Sequence, residues 1–282
     1  MRGSEAISPT AHYTGYVWVR NGLSHPELAT REGRVLFEAL RPAMTLSGVL
    51  GGPALESYLL ARHRALDALL RRAIEQAGVT QVIEVACGLS PRGWRFTSRY
   101  PRKLTYIEAD LPEMADRKRR ALARMGSLSE RHRVEDLDAL REAGPGSLAA
   151  LAGTLNPDAG LAIVTEGLLG YLEREVVESM WGQFAHQLAG FRVGRYLSDV
   201  QLADDAGAHV HAFRAVLSVF VRGRVHLHFT DSDDAAAALE RAGFSHAAVH
   251  PAAGLASSNG HGDPGARLAH VLQAGVSRLD RP

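Results

Sequence analysis

Apolar residues recur at helix and strand spacings through most of the chain. Leu55, Leu59, Leu66, Leu70 and Ile74 form one stripe at helical spacing, which predicts a helix over residues 55–74. Short apolar runs predict strands at residues 82–86, 104–108, 132–135, 161–165 and 195–200. Helices are predicted between them, among them residues 112–125 and 173–188. This alternation is typical of an α/β fold with a parallel sheet.

The two ends of the chain have weaker patterns. Glycines interrupt residues 1–53, which predicts an irregular N-terminal arm with at most short helices. Beyond residue 201, the pattern predicts helices at 209–220 and 235–242 and strands at 225–229, 244–250 and 267–276. Residues 252–265 are rich in Gly, Ser, Asn and Pro and are interpreted as an exposed loop. We expect an arm over residues 1–54 and one domain over residues 55–282.

The composition argues against several kinds of partner. The chain has 282 residues, and its 32 lysines and arginines nearly balance its 31 aspartates and glutamates. Because no basic cluster is interleaved with aromatic residues, nucleic-acid binding is not expected. No segment has the roughly 18 uninterrupted apolar residues of a membrane span, and residues 1–10 lack the apolar core of a signal peptide. We expect a soluble, cytoplasmic protein with no membrane partner.

Cysteine and histidine give little support to a metal site. Cys87 is the only cysteine, which excludes an internal disulfide and a multi-cysteine metal site. His226 and His228 would share one face of a strand, but no carboxylate lies at convincing ligand spacing. An ordinary half-buried strand explains that segment, so no metal is expected.

A turn of small residues follows the first predicted strand. The segment Gln81 to Ser90 contains this turn, and the next strand ends in the acidic residues Glu108 and Asp110. Small residues let the backbone approach a ligand, while a carboxylate at the neighbouring strand tip accepts hydrogen bonds from ribose hydroxyl groups. The full Gly-x-Gly-x-x-Gly spacing of a dinucleotide-binding turn is absent. The pattern therefore indicates a nucleoside-binding α/β site.

Four segments together resemble the leucine carboxyl methyltransferase family, a branch of the class I S-adenosylmethionine-dependent methyltransferases. They are EVACGLS (84–90) with WRF (94–96), YIEADLP (106–112) with Lys118, EDL (135–137) and TEGLLGYL (165–172). Their order and approximate spacing are those of the family. The resemblance implies a Rossmann-like seven-stranded sheet with helices on both faces, an N-terminal arm, and an insertion over residues 202–229 that helps to cover the site. It also implies S-adenosylmethionine as the cofactor.

The resemblance implies cofactor-binding roles for a set of residues along these segments. They are Arg62, Glu84, Ala86, Gly88, Glu108, Asp110, Asp136, Leu137 and Glu166. Residues 86–88 would pass under the methionine part of the cofactor, and Glu108 and Asp110 would face its ribose. Asp136 and Leu137 would meet the adenine edge. Helix capping is the alternative interpretation for Asp110 and Asp136.

The remaining two roles concern the amino-acid end of the cofactor. By the same resemblance, Arg62 would pair with the cofactor carboxylate, and Glu166 would close the site near its amino group. A solvated helix face is the alternative for Arg62. The chain also departs from the family pattern, because Ala86 replaces the first glycine and Ser90 an aspartate of the loop. An added methyl group at residue 86 would shift the cofactor or weaken its binding.

The acceptor side of the site is less specified. The protein-modifying members of the family place an arginine after the Asp-Leu pair, where this chain has Asp138. A negative charge there would repel a carboxylate, which argues against methylation of a protein C-terminus. Tyr171 lies where class I methyltransferases bring substrate to the methyl group. A hydroxyl acceptor would need a general base, for which the candidates are His209, His211 and His12, whereas a carboxylate needs none.

We therefore expect an S-adenosylmethionine-dependent O-methyltransferase that acts on a small-molecule hydroxyl or carboxylate in secondary metabolism. Tyr13, Tyr16 and Trp18 would form an aromatic lid over the substrate or anchor the N-terminal arm. Two alternatives stay open. One is a cofactor-binding protein without methyl transfer, in view of Ala86 and Ser90, and the other is a nicotinamide-dependent oxidoreductase. The oligomeric state and the identity of the acceptor stay open as well.

Overall fold

The computed structural model describes residues 4–49, 55–203, 226–255 and 264–276. The helices are α1 (Ser4–Arg20), α2 (Arg31–Val49), α3 (Leu55–Gln76), α4 (Arg92–Arg99), α5 (Pro112–Arg124), α6 (Leu148–Ala152), α7 (Arg174–Leu188), α8 (Ser232–Arg241), α9 (Ala252–Leu255) and α10 (Pro264–Arg267). The strands are β1 (Val79–Val85), β2 (Thr105–Asp110), β3 (His132–Asp136), β4 (Gly160–Thr165), β5 (Val193–Val200), β6 (His246–Pro251) and β7 (His270–Val276). Single 3₁₀ turns lie at Pro26–Leu28 and Leu169–Tyr171.

The seven strands form one sheet, as the family resemblance implies, and their order is β3-β2-β1-β4-β5-β7-β6. The first five strands are parallel, and β7 runs antiparallel to both β5 and β6. Successive side chains of a strand point to opposite faces. On β1, Val82 joins the core that contains α3, and Ile83 joins the core that contains α7. Both faces of the sheet are therefore covered by helices.

The prediction of an irregular arm over residues 1–53 is wrong, because α1 and α2 are long helices. Two of the glycines interpreted as breaks are instead points of close packing. A Cβ atom on Gly33 would collide with the carbonyl oxygen of His12, and one on Gly15 would lie 3.0 Å from Cβ of Leu89. The glycines let α1 approach α2 and the loop after β1, and this tertiary contact offsets their low helix propensity.

The part of the chain after β5 also differs from expectation. The strand expected at residues 225–229 is wrong within the described residues, where only Phe229 forms an isolated bridge to Leu202. The expected loop at 252–265 contains the short helices α9 and α10 at its described ends. Helix α8 and strands β6 and β7 confirm the other predictions. The helix expected at 209–220, and most of the expected insertion, lie outside the described residues.

The order of the strands determines where a ligand site is expected. Chain order runs outward from β1 to β3 on one side and continues through β4 and β5 on the other. The point between β1 and β4 is a topological switch point, where open α/β sheets bind ligands beyond the carboxyl ends of the strands. Among the described helices, none combines the length and apolarity needed to cross a membrane.

Candidate functional site

A cavity of about 240 Å³ lies beyond the carboxyl ends of β1, β2, β4 and β5. The expected site residues that line it are Arg62, Ala86, Gly88, Asp110, Leu137, Glu166 and Tyr171. Glu84, Glu108 and Asp136 are not among its lining residues, and His209 lies outside the described part of the chain. The cavity is also lined by Trp18, expected in a lid or an anchor, and by Asp138, expected on the acceptor side. Four further lining residues have no predicted role in cofactor or acceptor binding, namely Tyr58, Asp199, His226 and His228.

The loop after β1 has an unusual backbone. Ala86 has φ of 54° and Gly88 has φ of 50°, and Ala86 is the one non-glycine residue with positive φ in the described ranges. Left-handed backbone costs a residue with a Cβ atom roughly 1–2 kcal/mol. The replacement of glycine by Ala86 therefore adds strain as well as a methyl group at the cavity wall.

Asp110 holds this loop from the neighbouring strand. Its Oδ2 accepts a hydrogen bond from the backbone N–H of Gly88 at 2.7 Å, and its Oδ1 accepts one from Leu111 at 2.8 Å. Burial raises the pKa of the Asp110 carboxyl above its usual range, although both backbone bonds oppose this shift. Leu111 is the N-cap residue of α5 and makes no side-chain cap bond. Asp110 therefore links the tip of β2 to the loop after β1, at the cavity wall.

Glu108 lies beneath the same loop. It is fully buried, forms an ion pair with Lys118, and lies 2.7 Å through Oε1 from Nε2 of His132. Burial alone would raise the Glu108 pKa, but the charge of Lys118 holds it below its usual range. Lys118 donates to the carbonyl oxygens of Ser90 at 2.5 Å and Gly88 at 3.3 Å. Glu108 therefore supports the loop through Lys118 from beneath the cavity wall.

A buried guanidinium joins three carboxylates behind the cavity. Arg92 donates to Asp67 at 2.8 Å, to Glu84 at 2.5 Å and to Glu166 at 2.6 Å. Of these three acids, only Glu166 lines the cavity. Nδ1 of His63 lies 2.8 Å from the same oxygen of Glu166. Burial would raise the Glu166 pKa, but His63 and Arg92 hold it well below its usual range, so the carboxylate is ionised.

Arg62 is engaged by two acids at the cavity wall. It donates from Nε to Glu166 at 3.1 Å and from Nη1 to Asp199 at 3.0 Å. Asp199 also accepts a hydrogen bond from the backbone N–H of Gly167 at 2.7 Å. Asp199 was not predicted, because nothing in the sequence of β5 indicates that its carboxyl end meets α3 and the loop after β4. Arg62 therefore lies at the expected place but is already paired.

The end of the cavity below β3 differs from the expected adenine contacts. Asp136 is half-exposed, and its Oδ1 accepts a hydrogen bond from Arg119 at 3.0 Å. The backbone N–H of Leu137 donates to the carbonyl oxygen of Asp110 at 2.8 Å. Asp138 lines the cavity, and its Oδ1 accepts from the backbone N–H of Leu140 at 3.0 Å. Asp138 therefore lies beside β3, at the opposite end of the cavity from β5.

Two histidines line the cavity near the 3₁₀ turn Leu169–Tyr171. Nδ1 of His226 lies 3.2 Å from Oε2 of Glu173, and its backbone N–H donates to the carbonyl oxygen of Gly170. The His226 ring stacks on His228, with ring centroids 5.9 Å apart. His228 is fixed by its Nε2, 2.5 Å from the carbonyl oxygen of Leu172. Burial lowers the pKa of His228, and the charge of Arg174 contributes.

Other candidates for chemistry have structural partners or unfavourable surroundings. His12 is buried against Thr30, 2.9 Å from its Oγ1, and is not among the cavity-lining residues. Burial raises the pKa of Cys87 well above its usual range, which keeps this thiol neutral. Burial also raises the pKa of Tyr171. Within the described residues, no group of three or more His, Cys, Asp or Glu side chains is arranged to hold a metal.

The sheet order and the cavity define the class I methyltransferase fold. A solved structure of a Thermobifida fusca protein superposes on this chain with a TM-score of 0.64. That protein is named provisionally as a methyltransferase. The superposition covers 95% of this chain and 94% of that protein at 16% identity, so it bears on the fold alone.

The leucine carboxyl methyltransferase model matches residues 33–185, and the chain belongs to that family. A Mycolicibacterium gilvum protein, provisionally named as an S-adenosyl-L-methionine-dependent methyltransferase, is 39% identical over 114 residues. That match covers 40% of this chain and 36% of the relative. A Parafrankia relative with the same provisional name is 32% identical over 196 residues, covering 64% of this chain and 59% of the relative. The matches thus span from about a third to three fifths of these curated relatives.

Proposed function

We propose that this chain is an S-adenosylmethionine-dependent O-methyltransferase that acts on a small molecule in secondary metabolism. Family membership supports the cofactor, and the chemistry of the cavity fits it. Within the described part of the chain, the cavity is lined by the acidic residues Asp110, Glu113, Asp138, Glu166 and Asp199 and by the basic residues Arg62 and Arg117. This excess of carboxylates favours a positively charged ligand, and the sulfonium cofactor is one.

The residues of the chain have distinct tasks in this proposal. Asp110 would accept hydrogen bonds from the ribose, and Glu166 would bind the amino group. Asp138, which the family resemblance implies on the acceptor side, lies beside β3 and would instead meet the adenine end. The cofactor, when bound, supplies an electrophilic methyl group on sulfonium sulfur. The protein therefore has to align the acceptor with that methyl group and exclude water.

The pair His226 and Glu173 favours a hydroxyl acceptor over a carboxylate. A carboxylate beside Nδ1 keeps the imidazole proton on that atom, which leaves Nε2 as a proton acceptor. Nε2 of His226 would accept the proton of the acceptor hydroxyl, and Glu173 would stabilise the resulting imidazolium. The His226 side chain is 25% exposed and Glu173 68% exposed, so the proton has a route to solvent.

The apolar part of the cavity supports a small acceptor with an apolar or aromatic body. Trp18, Tyr58 and Tyr171 provide aromatic surface there. The proposal includes a cytoplasmic location of the protein, without a nucleic-acid or membrane partner.

Calorimetric titration with S-adenosylhomocysteine tests the cofactor, and transfer of radioactive methyl to a panel of phenols, alcohols and carboxylic acids tests the reaction. Binding with transfer to a hydroxyl compound is the expected result. Binding without transfer to any acceptor would favour a protein that uses the cofactor site for another purpose. Displacement of the ligand by a nicotinamide dinucleotide would favour the oxidoreductase alternative. Absence of binding at millimolar ligand would contradict the proposal.

A further inference from the structure

Trp18 carries a polar group whose hydrogen bonding the fold leaves unexplained. The residue belongs to α1, lines the cavity and is 4% exposed. Its indole Nε1 is buried and has no hydrogen-bond partner among the described residues. Native proteins pair the large majority of such groups, because an unpaired buried donor costs roughly 1–3 kcal/mol. Because Trp18 lines the cavity, a ligand bound there is a source of the missing acceptor.

The position of the indole identifies the end of the cavity at which this ligand atom lies. The Trp18 ring packs on the ring of His63, with centroids 4.7 Å apart. His63 in turn contacts Glu166, with 2.8 Å between Nδ1 and Oε2. Only one imidazole therefore separates the indole from the carboxylate assigned to the amino group of the cofactor. Trp18 thus lies at the amino-acid end of the proposed ligand.

Arg62 is poorly placed to neutralise a third carboxylate at this end. Its guanidinium is already paired with Glu166 and Asp199, and Glu166 is also paired with Arg92. Among the carboxylates and guanidiniums of this cluster, Asp67, Glu84, Glu166 and Asp199 exceed Arg62, Arg92 and Arg95 by one negative charge. An incoming carboxylate would meet repulsion from Glu166 and Asp199. The ammonium of an amino acid fits this cluster, and a neutral donor outside it adds a hydrogen bond to the carboxylate without disturbing the paired charges. The indole N–H is a neutral donor without acceptor capacity, so it matches a group that only accepts.

We infer that Nε1 of Trp18 donates a hydrogen bond to the carboxylate of the methionine moiety of the bound cofactor. The inference rests on the proposed function and adds a residue of α1 to its cofactor site. Recognition of the amino acid is then divided between two side chains. Glu166, in the loop after β4, binds the ammonium, and Trp18 of α1 binds the carboxylate. Cofactor binding consequently ties α1 to the sheet.

The test compares two ligands and two matched variants by calorimetry. S-Adenosylhomocysteine contains the amino acid, whereas 5′-methylthioadenosine retains the nucleoside and the thioether sulfur without it. Trp18→Phe keeps an aromatic ring next to His63 and removes the N–H together with part of the indole ring, and the comparison of the two ligands separates the lost hydrogen bond from the lost volume. Trp94→Phe is the control, because Trp94 packs edge-on against His25 and is not among the cavity-lining residues. Thermal unfolding of each variant verifies that it is folded.

The expected result is a loss of about 10-fold in affinity for S-adenosylhomocysteine in Trp18→Phe, since hydrogen bonds to charged groups contribute about this much. Affinity for 5′-methylthioadenosine should change by less than about 2-fold, and Trp94→Phe should change neither. Equal losses for both ligands, or no loss for either, would overturn the inference while leaving the proposed function intact. If binding of 5′-methylthioadenosine is too weak to measure, the two variants are compared by their affinity for S-adenosylhomocysteine alone. Equal affinities of Trp18→Phe and Trp94→Phe would then overturn the inference. No binding of either ligand by the wild-type protein would instead refute the proposed function.

Discussion

Nη2 of Arg92 lies 2.6 Å from Oε2 of Glu166, and both side chains are buried. This contact joins the carboxylate at the cavity wall to Asp67 and Glu84 through one guanidinium. Removal of one partner from a buried ion pair leaves the other charge uncompensated, which costs roughly 3–5 kcal/mol. Arg92→Met should therefore lower the free energy of unfolding by about this amount. Urea denaturation checks this, with Arg64→Met at an exposed position of α3 as the control. A change below about 1 kcal/mol in Arg92→Met would contradict the role of this contact.

Glu166 should make stability depend on pH. Its pKa in the folded protein lies well below the ordinary value of 4.5, because His63 and Arg92 outweigh the effect of burial. A carboxyl with a depressed pKa stabilises the fold fully above its unfolded pKa and loses this contribution as pH falls through the folded pKa. The deficit in unfolding free energy of Glu166→Gln should therefore be largest near neutral pH and shrink below pH 4.5.

The measurement is denaturant unfolding of the wild type and Glu166→Gln across this pH range. Glu130→Gln, at an exposed position, supplies the control. A deficit that stays constant down to acid pH would show that the charge of Glu166 does not contribute.

Ala86→Gly should stabilise the protein, although most substitutions by glycine destabilise. With φ of 54°, Ala86 is in the left-handed region, where glycine has no Cβ penalty. The gain should be a few tenths to about 1 kcal/mol, after subtraction of the greater entropy of glycine in the unfolded chain. Ala123→Gly, on an exposed position of α5, should instead lose about 1 kcal/mol. Thermal and denaturant unfolding measure the stability of both variants. A loss of stability in Ala86→Gly as well as in Ala123→Gly would disprove the strain at residue 86.

Asp138 and Asp136 test which carboxylate serves the adenine end. Asp138 lines the cavity, whereas Asp136 is half-exposed and paired with Arg119. Asp138→Ala should weaken binding of S-adenosylhomocysteine about 10-fold, through loss of one charge-assisted hydrogen bond, and Asp136→Ala should change it less than about 2-fold. Calorimetry on both variants, with thermal unfolding to verify folding, measures this. The reverse order would return the adenine contact to Asp136, as the family resemblance implies.

The sequence predicts the sheet and the loop after β1 well, because both depend on local signals. Apolar runs mark the strands, and small residues followed by an acidic strand tip mark the ligand loop. Asp110, Gly88 and Glu166 consequently line the cavity as expected. The resemblance to the leucine carboxyl methyltransferase family also predicts the fold, because it implies a sheet of seven strands.

The remaining site residues depend on contacts between distant parts of the chain. Trp18 meets His63 across 45 positions of sequence, and His226 meets Glu173 across a segment of uncertain pattern. The sequence does not predict the long helices α1 and α2, because their glycines resemble helix-breaking residues in the local pattern. In the structure, these glycines are needed for close packing. Glu108 shows the limit of such a signal, since a buried carboxylate paired with Lys118 and a carboxylate that lines the cavity look the same in the sequence.

The last prediction concerns His226, which separates hydroxyl from carboxylate chemistry. If its Nε2 accepts the proton of a hydroxyl acceptor, His226→Gln should lower kcat by roughly 100-fold to 10,000-fold, since a positioned base contributes this much. Cofactor affinity should stay unchanged, because the substitution leaves the cofactor-binding residues in place. His246→Gln, on β6 outside the cavity lining, is the matched control and should retain full activity.

The pH profile gives a second, independent readout of the same role. Activity of the wild type on a hydroxyl acceptor should fall as pH decreases, because a protonated imidazole cannot accept the proton. His226→Gln should lose this acidic limb, and Glu173→Gln should retain the limb with a lower rate, since the imidazolium loses its carboxylate partner. The product should be a methyl ether, which resists mild alkali, whereas a methyl ester releases methanol. A methyl ester as product, together with full activity of His226→Gln, would assign the reaction to carboxylate acceptors and His226 to structure alone.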